Sequence, residues 1–336
     1  MAQNKRMYYA VYQMGFSQLG VNSFTAAHGL QQVGVTTRFN LEQVFEIGMI
    51  SIYDNVENIP DIEVTAEKAL DGYPLLWHLG TYGATSATLG GRSNIKTQIS
   101  LSYFTDTQDA ASGVPLRQVV MSGMFPSAVT ITLPTEGFGT ESVSFVGNNK
   151  IWKSSSFTFN GAFTPTDAPL SPSGTMRRQH VIMGSAGCIL PTEIPNISTS
   201  GTNELDTDGT NFKAHIISLK ASTNLGRTPL YELGRRGPYH RVADFPVQVT
   251  SDIEVSCQQG DNINAIEDAT TNVTNQTIKF KTADGMIVDL GTKNKSSNIS
   301  ETGGNAGARG GNRTISYSYV NFNDMTITHP ADPSGL

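Results

Sequence analysis

A chain of 336 residues is long enough for two domains of ordinary size. Its net charge of −6 argues against a dedicated DNA grip, because such a grip needs a basic surface to displace counterions from phosphates. Charged residues make up only 15%, and Gly, Ser, Thr and Asn are abundant. This composition indicates an ordered all-β protein with many turns and argues against a disordered chain.

The cysteines and the N-terminus set further expectations. Cys188 and Cys257 are far apart in the sequence, so we expect buried thiols and no disulfide framework. Residues 1–20 begin polar and lack a long apolar segment, which predicts no signal peptide. No window reaches 18 apolar residues, which predicts no membrane-spanning segment. Together these features predict a protein made in a cytoplasm.

Two short helices are predicted in the first half. Residues 40–46 begin with Asn40, a residue type that caps helices. Residues 64–79 place Ala66, Ala69 and Leu70 on one helical face.

Alternating apolar residues predict strands in both halves. In the first half, residues 95–105 alternate, and residues 129–133 and 141–146 predict a hairpin. In the second half, the predicted strands cover residues 214–222, 247–255, 277–281, 286–290 and 315–328. Asp284-Gly285 predicts a tight hairpin between residues 277–281 and 286–290. The last of these is expected to fold on itself as a closing hairpin about residues 321–324.

The middle of the chain is predicted to be a connector. Residues 156–212 are rich in Pro, Ser and Gly, and proline lacks the N–H that a central strand must donate. We therefore predict one domain over residues 1–155 and a second over 213–336. The glycine-rich residues 303–311 are predicted to form a flexible tip or a wide turn.

One stretch occurs twice, 186 positions apart and without a gap. Residues 44–60 align with residues 230–246. The identical pairs are Glu46 and Glu232, Gly48 and Gly234, Tyr53 and Tyr239, Val56 and Val242, and Pro60 and Pro246. Two copies are too few for a solenoid, so the repeat predicts two related domains in tandem.

Signatures of catalysis and metal binding are missing from the sequence. It contains no phosphate-binding loop, no dinucleotide fingerprint and no nucleophile elbow, and its six histidines lack a metal-ligand spacing. Residues 204–209 are similar to a calcium loop, but His215 stands where a bidentate carboxylate is required. We therefore predict no enzymatic activity, no metal and no cofactor.

Two basic clusters are candidate contacts between subunits. One is Arg177 with Arg178, and the other is Arg235 and Arg236 with His240 and Arg241. The second cluster lies in the repeat, where the first copy has apolar and acidic residues. Nearly identical scaffolds with opposite local charge are what two complementary interfaces need, so we favour a contact over a solvated loop.

The repeat also supplies partners and backbone geometry for such contacts. Glu46 and Glu232 are candidate partners for the arginines of a neighbouring subunit. Gly48 and Gly234 are expected to permit a positive φ or a close approach of backbones. The prolines that end the repeat, Pro60 and Pro246, are expected to set the entry into the next strand.

Several stretches resemble the tail tube proteins of long-tailed bacteriophages. They are Glu-Leu-Gly-Arg-Arg-Gly-Pro-Tyr (232–239), Phe-Pro-Val-Gln-Val-Thr (245–250) and residues 59–73, 141–152 and 316–328. The resemblance covers most of residues 35–155 and 215–330 and rests on overall pattern, since none of its motifs is a catalytic signature.

The resemblance implies a mainly β fold of tandem tail-tube-like β-sandwich or split-barrel domains with short helices. Such domains sit six around a ring, their inner sheets fuse into one barrel, and the rings stack into a tube that carries DNA from the capsid into the host. It also implies a place in the virion tail. The implied partners are other copies of the chain, a terminator, a baseplate or hub, a sheath if the tail contracts, and DNA in transit.

Alternatives remain open for both assembly and function. Duplicated halves favour three chains in a six-domain ring over six chains whose second halves decorate the first. Other functions are a tail hub or tube initiator, a tail terminator, a carbohydrate-binding adhesin, or a tail-associated enzyme. An adhesin needs exposed aromatic residues, whereas Trp77 and Trp152 both lie in contexts that predict burial.

Overall fold

The computed structural model describes residues 12–21, 23–104, 115–153, 174–183, 187–195, 214–256, 260, 263, 274–303 and 312–336. Within these residues antiparallel strands dominate, and the helices are short. The predicted mainly β fold is therefore confirmed.

The first half of the described chain contributes two short helices, α1 (Leu76–Gly80) and α2 (Leu89–Ser93). Its strands are β1 (Tyr12–Gln18), β2 (Thr25–Ala26), β3 (Leu30–Arg38), β4 (Leu41–Phe45), β5 (Ile52–Glu57), β6 (Asp61–Ala69), β7 (Thr97–Tyr103), β8 (Arg117–Pro134), β9 (Thr140–Gly147) and β10 (Asn149–Lys153).

The rest of the described chain has one 3₁₀ turn, Arg178–His180. Its strands are β11 (His215–Asn224), β12 (Thr228–Leu230), β13 (His240–Val242), β14 (Gln248–Ser256), β15 (Lys279–Lys281), β16 (Ile287–Asp289), β17 (Lys295–Thr302), β18 (Thr314–Phe322) and β19 (Thr326–Thr328).

Eight strands form one large antiparallel sheet that runs through both halves. Their order is β3-β6-β9-β8-β11-β14-β18-β17. The first four strands come from the first half and the last four from the second. Each half therefore supplies one four-stranded unit, and β8 and β11 join the two units side by side.

The two units have the same topology. In each, the first and second strands in chain order lie side by side, and the chain between them forms a hairpin, β4–β5 or β12–β13. The last two strands in chain order follow in reversed order, so that β8 and β17 are the fourth strands of the two units in space. Each first strand has a β-bulge, at Gln31 in β3 and at Ile217 in β11. Each fourth strand also has one, at Ser127 in β8 and at Ser297 in β17. The sequence repeat thus belongs to a duplicated four-stranded unit in which bulges, as well as strands, correspond.

Strand β8 is shared between two sheets. Its first part pairs with β7 and β10 in a second sheet of order β2-β1-β7-β8-β10, and its last part pairs with β9 and β11. Gly123, with a φ of 69°, and the bulge at Ser127 lie on either side of the change of partner, which falls between Met124 and Phe125. A positive φ and an extra residue both turn a strand, which lets one strand serve two sheets.

One face of the large sheet is apolar and covered. Val64, Phe145, Ile253 and Tyr317 point from it into a single buried cluster. In the first unit, α1 packs against this face, where Gly80 lies directly against the ring of Phe145. The small sheet β15-β16-β19 contributes Phe280, Val288 and Ile327 to the same cluster, among other residues.

The helix predicted over residues 40–46 is wrong, and the one predicted within residues 64–79 occurs only at the C-terminal end of that range, as α1. Residues 40–46 mostly form β4, which pairs with β5 in a hairpin closed by a 2.9 Å bond from the Asn58 N–H to the Asn40 carbonyl. A helix of seven residues is marginal alone, whereas β5 supplies hydrogen-bond partners along the segment. Residues 64–69 continue β6, because burial at Ile62, Val64 and Ala66 follows a period of two. Helix begins only at Leu76.

The strand predictions fare better, with one exception. Residues 129–133 and 141–146 lie in β8 and β9, which form the expected hairpin, and β15 and β16 form the expected hairpin about Gly285. The closing hairpin is wrong, because β18 pairs with β14 and β17, while β19 pairs with β16. Alternation and a turn at Asn323 are both present, but they do not say which strand is the partner.

Other expectations have mixed outcomes. Trp77 is buried as predicted, but Trp152 is 56% exposed on β10, where it stacks on Tyr103 with ring centroids 5.7 Å apart. The apolar residues of an alternating strand are buried only where another layer of the protein covers that face of the sheet. Cys188 is buried, and Cys257 lies outside the described residues. So do residues 204–209 and most of 303–311.

Parts of the predicted connector pack onto both halves of the chain. The Met176 N–H donates to the Leu70 carbonyl at 2.7 Å, and Ile189 bridges to Lys279 of β15. Cys188 and Leu190 are buried between these contacts. The described part of the connector therefore contributes to the core, because its backbone groups find partners without long strands.

Candidate assembly surface

The large sheet ends in two strands that have a neighbour on one side alone. In the described chain, β3 pairs only with β6, and β17 pairs only with β18. An uncovered edge presents a row of N–H and C=O groups and is a ready template for another strand.

The junction inside the chain shows what such edges pair with. There β8 and β11 are antiparallel, with Ser222 opposite Thr130 and Thr223 opposite Val129. Two bonds close the ends of the pair, from the Thr135 N–H to the Ile217 carbonyl at 3.0 Å and from the Leu225 N–H to the Ser127 carbonyl at 2.7 Å. The strand β8 is the fourth of its unit, and β11 is the first of the next. Their counterparts are β17, the fourth strand of the second unit, and β3, the first strand of the first unit, and these two lie at the outer edges of the sheet.

The second face of the sheet is polar. Hydroxyl groups meet across neighbouring strands, as in Ser222 with Thr250 at 2.7 Å and Thr65 with Ser144 at 3.4 Å. The Ser318 hydroxyl also donates to the Asp252 carboxylate at 2.7 Å. The charged side chains of this face, assigned from strand alternation, are Asp61, Glu63, Glu67, Asp252 and Glu254 against Arg38, Lys220 and Lys295. The face is hydroxyl-rich with a small acidic excess.

The two repeat copies form two hairpins of different character. The first hairpin, β4–β5, is exposed along its whole length, and Ile47 and Ile50 at its tip are fully exposed. The second hairpin, β12–β13, rests on the first unit through its base. There His240 lies edge-on to Phe125 at 5.2 Å, and Arg241 is buried.

The predicted contact residues of the second hairpin divide into two groups. Glu232 and Arg235 pair with each other at 3.2 Å on the exposed tip, where Arg236 is also exposed. Arg241 instead forms an ion pair with Asp61 of the same chain and donates to the Asn148 side chain at 3.1 Å. Arg241 therefore anchors the second hairpin to the first unit.

The remaining predicted residues occupy corresponding places. Gly48 and Gly234 have φ angles of 95° and 83° at the two hairpin tips. Glu46 is exposed beside the first tip, and Pro60 and Pro246 lie just before β6 and β14. The two connector arginines, Arg177 and Arg178, are exposed. No residue of the described chain pairs Glu46 with an arginine, so its intersubunit role stays a prediction.

The structure also contains a buried charged cluster that the sequence did not predict. Arg92 forms an ion pair with Asp332 and donates to the Thr81 hydroxyl at 2.9 Å. His78 donates from Nε2 to the Ile327 carbonyl at 3.0 Å. Burial lowers the pKa of His78 to about 4, against the opposing charge of Asp332, so this imidazole is neutral in the fold.

The cluster is closed to solvent. The side chains of His78, Arg92 and Asp332 are at most 1% exposed, so no substrate reaches them. Their sequence separation explains why local motifs did not reveal them, since Arg92 and Asp332 are 240 positions apart. The cluster fastens α1 and α2 of the first half to the C-terminal segment.

A second buried polar group lies at the end of the first unit. Lys68 is fully buried and donates to Asp71 at 2.6 Å, and His28 donates to the same carboxylate at 2.6 Å. Burial alone would raise the pKa of Asp71, but the His28 bond and the Lys68 charge hold it below its usual value. Nearby, the Glu141 carboxylate accepts from the N–H groups of Leu76 and Trp77, at 2.7 and 2.8 Å.

A shallow groove of about 560 Å³ lies on the polar face over the β8–β11–β14 strands. Asp244 is the one titratable residue in its lining, which otherwise carries hydroxyl, amide and apolar groups such as Thr130 and Gln248. A nucleophile beside a base, or paired acids, is what hydrolysis would require there. The described residues contain no group of three or more potential metal ligands, and no helix among them is both long and apolar enough to cross a membrane.

Comparisons with known proteins add a distant likeness. No protein-family model matches the chain, and no curated protein matches it. Among solved structures, it is similar to the anti-feeding prophage cap, described as the AFP tube terminating cap. The identity is 10% and the TM-score 0.34, over 46% of this chain and 95% of that one. A TM-score this low assigns neither a fold nor a function to this chain.

Proposed function

We propose that this chain is a structural, non-catalytic protein of a phage tail, and that its copies join into rings that stack as the tail tube. The observation that carries the proposal is the β8–β11 junction. It joins the fourth strand of one unit to the first strand of the next, and the two edges of the large sheet are the same two kinds of strand, β17 and β3.

Strand direction permits the same joint between copies. All neighbouring strands in the large sheet are antiparallel. Because the sheet has eight strands, β3 and β17 at its two edges run in opposite directions. Pairing β17 of one copy with β3 of the next is a head-to-tail contact, which generates a closed ring when the rotation closes. Closure removes both exposed edges. Three copies would then supply six equivalent four-stranded units.

The polar face suits the inside of such a ring. The apolar face is already covered by α1 and the small sheet, so the hydroxyl-rich face is the one that the described residues leave uncovered. A lining with a small acidic excess does not accumulate phosphate, and DNA would pass along it without being held.

Ring stacking is assigned to the first hairpin. Its tip exposes Ile47 and Ile50 completely, and burying each side chain contributes about 1.5–3 kcal/mol. Contact with the next ring would cover them. The proposed partners are therefore further copies of the chain and the tail proteins that cap or start the tube, and the proposed place is the virion tail.

Electron microscopy of the purified protein tests the proposal. Stacked rings whose end-on views show three repeats, each split in two, are the expected result. Single rings at every concentration would instead favour a terminator, and six identical repeats would rule out three chains per ring. Monodisperse monomers at every concentration would overturn the proposal. The Ile47→Ser/Ile50→Ser variant should retain rings and lose stacks.

A further inference from the structure

We infer that β17 of one copy pairs with β3 of the next in the register of the internal β8–β11 pair, which places Ser300 opposite Thr36. The inference rests on the proposed ring and specifies the lateral interface within it.

The first step aligns β3 with β11. The bulges at Gln31 and Ile217 are 186 positions apart, the same spacing as the sequence repeat. Partner residues agree, because Thr37 lies opposite Ile62 and Thr223 lies opposite Val249, each the first buried residue of its strand. Thr36 of β3 therefore corresponds to Ser222 of β11.

The second step aligns β17 with β8. The bulges at Ser127 and Ser297 fix the alignment, and cross-strand partners support it. Two residues beyond each bulge, Val129 lies opposite Val143 and Ile299 opposite Tyr317. Ser300 therefore corresponds to Thr130.

The third step transfers the pairing. Inside the chain Ser222 is opposite Thr130, so between copies Thr36 is opposite Ser300, and hydroxyl groups again meet on the polar face. Thr37 then lies opposite Ile299, as Thr223 lies opposite Val129.

The hairpins give an independent check on this register through charge. Inside the chain, His240 of the second hairpin lies on Phe125. The corresponding residues of the interface between copies are Asp54 of the first hairpin and Lys295 of β17, both exposed. An anion and a cation therefore meet in this register, which is the complementarity expected of a specific contact.

Side-chain polarity at the base of the hairpins agrees. Arg241 rests on Asp61 and Asn148, all polar. Ile59 also lies against this hairpin, at Gly237. The residues that correspond to Asn148 and Ile59 are Phe322 and Phe245, which are 59% and 47% exposed. The first hairpin of a neighbouring copy is the more apolar of the two and would cover these two rings.

Disulfide trapping tests the register directly. Positions 36 and 300 correspond to a pair that is not hydrogen-bonded across the β8–β11 joint, where opposed residues are about 4.5 Å apart between Cα atoms. That spacing allows a disulfide, whereas a displacement by two residues gives about 7–8 Å and exceeds the usual limit. The variants are Thr36→Cys/Ser300→Cys and the displaced control Thr36→Cys/Asn298→Cys. Ser222→Cys/Thr130→Cys is the control within one chain.

Oxidised, assembled Thr36→Cys/Ser300→Cys protein should give covalent dimers and closed trimers at least about tenfold faster than the displaced pair. The unsubstituted chain, with Cys188 and Cys257, sets the background. Equal linking of both pairs, or no ladder from particles that are rings by microscopy, would overturn the register and leave the ring standing. Absence of rings in the unsubstituted protein would overturn the proposed function as well.

Exchange of the charges at Asp54 and Lys295, which are both exposed, gives a second test of the register. Asp54→Lys should raise the protein concentration required for assembly, and Asp54→Lys/Lys295→Asp should restore it. Failure of the double variant to recover assembly would contradict the register.

Discussion

Two pairs of corresponding strands differ in their partners. The strands β8 and β11 pair with each other inside the chain, whereas β17 and β3, their counterparts, form the outer edges of the described sheet. The difference extends to the hairpins. The second hairpin is held by Arg241 and His240 against the first unit, whereas the first hairpin is exposed throughout. The β8–β11 pair therefore serves as a model for the contact that β17 and β3 would make between copies.

Proline at corresponding positions should separate the two joints most sharply. Ala221 faces β8 because hydrogen-bonded residues alternate along β11 from Leu225, and Val35 is its counterpart in β3. Ala221→Pro removes a bond inside the sheet and should lower the free energy of unfolding by about 3 kcal/mol or more. Val35→Pro should leave monomer unfolding within about 1 kcal/mol of the parent, because its N–H faces the open edge, and should abolish ring formation.

Denaturant unfolding and microscopy of the two variants check this expectation. Rings from the Val35→Pro protein would show that β3 is not a ring contact. A large loss of monomer stability from the same variant would show that this N–H is already bonded inside the chain.

The two units also differ at the inner end of the third strand, where Glu141 in β9 corresponds to Ile315 in β18. Glu141→Leu leaves the N–H groups of Leu76 and Trp77 buried without their acceptor. At about 1–3 kcal/mol for each group, the free energy of unfolding should fall by about 2–6 kcal/mol. Glu141→Gln keeps an acceptor oxygen and should cost less. Equal losses would show that volume, and not the two hydrogen bonds, determines the effect.

The sequence predicted the duplication and most of the strands of the large sheet, but it did not predict the first hairpin. Repetition of residues 44–60 at 230–246 predicted a duplicated unit, and period-two alternation located β7, β8, β9, β11 and β14. The same residues did not reveal the hairpin at 40–57, because an exposed hairpin depends on its partner strand and not on an apolar face.

Partners far apart in sequence explain the other failures. The position of β19 depends on β16, and the buried Arg92 depends on Asp332, so neither has a local signal. The correspondence of β17 with β8 became visible only through a shared bulge, since the two strands have few residues in common.

The buried cluster of His78, Arg92 and Asp332 should make the stability of the fold depend on pH. The pKa of His78 is about 4 in the fold and about 6.5 when unfolded, so the unfolded chain binds more protons between these values. The contribution of His78 to stability is complete above pH 6.5 and is lost as the pH falls towards 4, by at most about 3 kcal/mol. Asp332, Arg92 and His329 face the imidazole, and they are unchanged in the test.

His78→Gln should flatten this part of the stability profile, because glutamine can still donate to the Ile327 carbonyl but does not titrate. Urea unfolding at several pH values between 4 and 7 measures the slope. His215→Gln, at the exposed start of β11, is the matched control for the substitution itself. An unchanged slope in His78→Gln would mean that His78 is charged in the fold.

The smallest expected effect concerns the tip of the second hairpin. Arg235 and Glu232 are each more than half exposed, and an exposed ion pair contributes about 0–1 kcal/mol, so Arg235→Ala should barely change unfolding. Arg241→Ala, by contrast, removes the partner of Asp61 and should cost about 1–3 kcal/mol. If Arg235→Ala nevertheless weakens ring assembly or stacking, its guanidinium acts on a neighbouring copy, as the opposite characters of the two repeat copies predicted. If assembly is also unchanged, that charge is a solvated feature of the loop, and lateral contact depends on the strands and the hairpin bases alone.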